Sequence, residues 1–144
     1  MRKWFFIIFW VVLVLSACSP AVSEPRLSME DAWVRPPVSE NGNGAIYFRL
    51  VNTGGLSDKL LGVSSPVATA ELHQSVMKDN GVMGMEPVAS VELPAGEEVE
   101  FEQGGMHVML IGLEQPPVDG EKISFTLQFE HSGNMKFEAE ARQP

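Results

Sequence analysis

The chain has 144 residues, a formal net charge of −9 and one cysteine. That length fits a single domain with a real core but not two. So acidic a surface repels nucleic acid and anionic headgroups, and a lone cysteine excludes an intrachain disulfide framework.

The first element is not part of a fold. Met1-Arg2-Lys3 is a short basic region, and Trp4 to Leu15 is an unbroken apolar run. A membrane-spanning helix needs about 20 apolar residues, so this run has the length of a signal-peptide core instead. Leu15-Ser16-Ala17-Cys18 then resembles a bacterial lipobox. The resemblance implies cleavage before Cys18 and lipidation of its thiol, which makes the expected organisation a lipoprotein signal peptide (1–17), a lipidated cysteine with its tether (18–27) and a folded domain (28–142). Cleavage removes Arg2 and Lys3 and leaves eight basic against 19 acidic side chains. Lipid, not electrostatics, must then hold the chain at the membrane, and more than one acyl chain makes that attachment stable. The expected location is extracytoplasmic, periplasmic or at the cell surface, and lipid-anchored. The segment Ser19 to Pro25 is polar and proline-bearing, and reads as the tether.

Beyond the tether the chain is all-β by pattern. Short apolar or alternating runs occur at 32–35, 45–51, 59–63, 67–73, 88–93, 99–101 and 106–112, most of them separated by Gly, Pro, Asn or Asp clusters. Lys122 to Glu130 alternates apolar and polar without a fault, His131-Ser132-Gly133-Asn134 supplies a turn, and Met135, Phe137, Ala139 and Ala141 alternate on the return. Those features predict a hairpin. No long stretch has a 3.6-residue period, so a single-domain sandwich or barrel is expected. Trp33 is expected in the core, Arg35 paired with a surface carboxylate, and Glu97, Glu98, Glu100 and Glu102 on a solvated face.

Chemistry concentrates between positions 73 and 109. Two of the three histidines and five of the eight methionines (Met77, Met83, Met85, Met106 and Met109) fall there. A methionine used only as core filler would be spread along the chain. His107 and Met109 are two apart on an expected strand and so project from one face. His73 and Met85 add a second imidazole and a second thioether. Soft thioethers with imidazoles suit Cu(I). Met106 should point to the opposite face and pack, and His131 is a turn residue. Met77 and Met83 are auxiliary candidates: reserve thioethers, contacts for a docking partner, or core packing.

The spacing of His73, Met85, His107 and Met109 resembles the H(M)-x10-M-x21-H-x-M signature of the PCu(A)C periplasmic copper chaperones, and every gap matches. The flanking segments Asp31 to Arg35, Gly44 to Tyr47, Val51 to Gly54, Glu71-Leu72-His73 and Gly104 to Leu110 agree, so the likeness covers about 28–142. The optional methionine after the first histidine is Gln74 here, which removes only a spare donor. The resemblance implies a cupredoxin-like Greek-key β-sandwich, Cu(I) as the bound metal, and a monomer. It implies delivery to the copper centre of a haem-copper (cytochrome c) oxidase, with the copper-centre subunit or a Sco-type thiol chaperone as partner.

Other classes fare worse against the same residues. A blue-copper carrier needs a cysteine thiolate, and the expected domain has none. No G-x-S-x-G serine hydrolase motif is present, and no carboxylate pair stands out for glycoside chemistry. A non-enzymatic role is therefore expected. Copper storage or a metal-free β-sandwich interaction module are the alternatives to a chaperone.

Overall fold

Period-two alternation decides this architecture. In the computed structural model, which describes residues 23–39 and 42–143, ten strands alternate between a core side and a solvent side. They are β1 (Leu27–Arg35), β2 (Gly44–Asn52), β3 (Asp58–Ser64), β4 (Thr69–Met77), β5 (Met83–Pro87), β6 (Val91–Leu93), β7 (Glu98–Phe101), β8 (Met106–Ile111), β9 (Lys122–Phe129) and β10 (Gly133–Ala141). No helix occurs among the described residues. Cys18 and the expected signal peptide lie outside them.

The strands form one hydrogen-bonded sheet in the order β5-β4-β8-β2-β1-β10-β9-β3-β6, with β7 pairing the far half of β2. All the pairings are antiparallel except that of β1 with β10. The sheet curls until β3 and β4, far apart in that order, pack against each other. Its concave side closes over one core that includes Val34, Ile46, Phe48, Leu50, Leu60, Leu72, Phe101, Val108, Leu110, Phe125 and Leu127. This is the cupredoxin-like β-sandwich that the resemblance implied, in a single domain.

The expected hairpin is present. Ile123, Phe125, Leu127 and Phe129 of β9 are all buried, and β9 pairs residue for residue with β10 from Gly133↔Phe129 to Glu140↔Lys122. Buried Asp58 pins its turn. Its carboxylate accepts hydrogen bonds from the backbone N–H groups of Lys59, His131 and Ser132 and from the Ser132 hydroxyl. Asn52, also fully buried, latches a neighbouring corner by accepting from the Arg26 and Gly54 N–H groups and donating to the Leu56 and Leu93 carbonyls.

Three expectations need correction. β4 does not stop at His73 but runs on to Met77, and an unforeseen strand, β5, pairs with it. Gly81, at φ 75°, makes the turn between the two. Trp33 is not a core residue: Val34 fills the core, so alternation turns Trp33 outward, where it packs on Tyr47 with ring centroids 4.8 Å apart. Among the described residues no carboxylate pairs with Arg35, which instead lines a cavity with His107 and Met109. Met106 packs against the core, as its position opposite His107 predicts.

Candidate metal centre

Register carries the candidate residues onto one face. Across β4 and β8 the Cα partners are Glu71↔Met109, Leu72↔Val108 and His73↔His107. Across β5 and β4 they are Ser75↔Met85 and Met77↔Met83, and across β2 and β8 Ala45↔Met109. Directly paired residues project to the same side of a sheet. Since Leu72 and Val108 are buried in the core, their neighbours His73, His107, Met109 and Met85 all face away from it. The apolar alternation that builds the core therefore also sorts the nitrogen and sulfur donors onto the convex side.

Within that face the structure brings Met85, His107 and Met109 together around a cavity of about 180 Å³, completed by Arg35, Asn43, Gly44 and Ala45. The His73 ring stands opposite His107 with centroids 6.2 Å apart. Metal–nitrogen bonds of about 2.0–2.1 Å would set two rings holding one ion roughly 6 Å apart, so the separation fits shared ligation. The Asn43 amide donates to the Met109 thioether at 3.8 Å, which orients the sulfur and leaves it a second lone pair.

Exposure differs sharply among the four. His107 is only 3% exposed, whereas Met85 is 52% exposed. His107 Nδ1 donates to the Gly105 carbonyl at 3.2 Å, and its ring packs beside Tyr47. Burial holds its imidazole below the ordinary histidine pKa. The Gly105 bond, which favours the charged form, opposes that push, and the nearby Arg35 cation adds a smaller push downward. The net shift favours the neutral ring, the form a metal needs. His73 Nε2 lies 3.0 Å from Glu71 Oε2, and its Nδ1 is buried with no hydrogen-bond partner among the described residues.

The auxiliary candidates Met77 and Met83 are cross-strand partners on the same face, 67% and 51% exposed. Core packing is therefore ruled out for both. Val82 and Met85 are exposed as well, and of these four residues Met85 lines the cavity. His131 sits in the β9–β10 turn, on another part of the sheet. Sequence reasoning missed Arg35, Asn43, Tyr47 and Glu71. Only Glu71 carried a readable signal, being two residues from His73 on one strand; the others reach the site through β1–β2–β8 register.

Among the described residues no group of three or more His, Cys, Asp or Glu converges. The face described above instead sets two imidazoles beside two thioethers.

Known proteins share this fold. The LpqE-like lipoprotein family profile matches residues 27–141. Lxx21020 of Leifsonia xyli subsp. xyli, named as a lipoprotein, is 32% identical over 120 residues, which span 83% of this chain and 71% of that protein. Among solved structures, the apo PCuAC domain of PmoF1 superposes with a TM-score of 0.70 at 25% identity, over 82% of this chain and 94% of that one. The Cu(I) form of DR1885 from Deinococcus radiodurans superposes with a TM-score of 0.64 at 28% identity, over 86% and 83% of the two chains.

Proposed function

Because the chain belongs to the LpqE-like, PCuAC-type family, we propose that it is a Cu(I)-binding metallochaperone that works outside the cytoplasm, tethered through lipidated Cys18. One observation carries this reading: two imidazoles and two thioethers share the convex face, with His73 across from His107 and with Met85 and Met109 at the same cavity. The Cu(I) form of the structurally similar DR1885 supports the metal and its oxidation state.

His73, Met85, His107 and Met109 are the ligands in this reading. Thioethers bind without losing a proton and add no charge, so this ligand set adds nothing to the charge of its cargo. Soft sulfur favours Cu(I) over Zn(II). Having no thiol among its donors suits an oxidising compartment.

The graded exposure supports transfer rather than storage. An incoming ligand meets Met85 first, because it is half exposed, and then the partly buried Met109; buried His107 is reached last. Replacing one thioether at a time strands no buried charge. A thiolate acceptor binds copper more tightly, so the metal moves downhill without an energy source. The copper-centre subunit of a haem-copper oxidase, or a Sco-type thiol chaperone, fits that description. Met77, Val82 and Met83 would meet the acceptor's apolar surface.

Titration of the full-length protein with Cu(I) under a competing chelator tests the reading. One Cu(I) per chain is expected, with preference over Zn(II). The loaded protein is then mixed with an apo thiolate acceptor, free or behind a dialysis membrane. Rapid transfer only on direct mixing supports a chaperone. Retention of the metal, or equal transfer through the membrane, supports storage or buffering.

A further inference from the structure

Two hydrogen bonds fix which nitrogen each histidine has free. A neutral imidazole carries one N–H and one lone pair. The Gly105 carbonyl can only accept, so its contact with His107 Nδ1 puts the proton on Nδ1 and leaves the lone pair on Nε2. The Glu71 carboxylate also only accepts, and it lies against His73 Nε2. There the proton sits on Nε2 and the lone pair on Nδ1. Turning the His73 ring over would set a carbon against the carboxylate.

Nδ1 of His73 is buried and has no partner among the described residues. A buried lone pair left unbonded is costly and uncommon in folded proteins. A bond made only when cargo is present accounts for it. The chain arranges this cheaply, because Glu71 precedes His73 by two residues on β4 and so shares its face, directly across from Met109.

We propose that Glu71 is a positioning residue that holds the proton of His73 on Nε2, so that His73 presents Nδ1 to the metal while His107 presents Nε2. The tautomers rest on geometry alone; the identity of the metal rests on the copper-chaperone reading. Carboxylates that accept the distal N–H of a ligating histidine fix its ring and raise its basicity.

The experiment is long-range ¹H–¹⁵N NMR of the full-length chain in detergent, labelled only at its three histidines, at pH 8, first apo and then with Cu(I) added. Apo His73 should show the Nε2–H tautomer and apo His107 the Nδ1–H tautomer. Cu(I), which is diamagnetic, should then shift Nδ1 of His73 and Nε2 of His107. Glu71→Ala should mix the His73 tautomers and weaken Cu(I) about tenfold. Glu71→Gln, which keeps an acceptor oxygen, should restore the single tautomer. An apo His73 protonated on Nδ1, a metal shift on its Nε2, or an unchanged tautomer in Glu71→Ala would overturn the proposal. A chain that binds no Cu(I) at all refutes the copper reading instead.

Discussion

His73 and His107 are direct cross-strand partners whose rings face each other, while the adjoining pair Leu72 and Val108 turns to the opposite side and is buried in the core. Donors and core are thus interleaved residue by residue along the same two strands. A donor can be cut away while the residues that hold the sheet together stay in place.

His107→Ala should therefore fold but weaken Cu(I) binding by more than about 100-fold, beyond what loss of an outer-shell partner costs. Met85→Ala should cost less, because Met85 is half exposed. His131→Ala, in a distant turn, should change nothing. Chelator competition measures all three, with circular dichroism to verify folding. Unchanged affinity in His107→Ala would refute the ligand assignment.

The exposed pair Met77 and Met83 lies beside the donors. The double variant Met77→Ser, Met83→Ser should leave equilibrium Cu(I) affinity unchanged and slow transfer to a thiolate acceptor, as followed by stopped-flow. A drop in affinity would instead make them ligands.

Acid stability should depend on Asp58. Burial pushes its carboxyl pKa up, but hydrogen bonds from the Ser132 hydroxyl and the backbone of His131, Lys59 and Ser132 outweigh that push. The folded value lies below the ordinary 3.8. A depressed folded pKa gives stability that is fully present above the unfolded value and is lost as pH falls through the folded one. Urea midpoints should therefore fall below about pH 4. Asp58→Asn should destabilise the protein at pH 7 by on the order of 1.5–3 kcal/mol, the range for a charged hydrogen bond, and flatten that acid limb. An equally steep limb in the variant would assign it to other carboxylates.

Cys18→Ser should abolish incorporation of labelled fatty acid and release the protein from the membrane fraction. Label retained on the variant would remove the lipobox reading.

The β9–β10 hairpin is legible in the sequence because its alternation is faultless and its turn residues are explicit. The sharing of a face by His107 and Met109 is legible for the same reason, since two residues apart on a strand suffices. β5 is not legible: Met83-Gly84-Met85-Glu86-Pro87 contains two residues that weaken strands, and it becomes a strand only by pairing with β4. Trp33 misleads because a large aromatic suggests a core, whereas its register with Tyr47 puts it on the outer face. Arg35 and Asn43 reach the cavity through contacts between distant segments, which no local pattern encodes.

Among the described residues, β5 lies at the end of the sheet and is held by β4 alone. Its residues are exposed or half-buried, and none belongs to the core. Three candidate donors are thus bolted to strands with a neighbour on each side, while Met85 rides on a flap. Peeling that flap breaks a few backbone bonds and bares almost no apolar surface, so it is among the cheapest local openings in the domain. The grip on a metal then includes the free energy of seating five residues, and amide exchange in β5 should outpace that in β8. A partner strand that captured the open edge would loosen the cargo without touching sulfur or nitrogen.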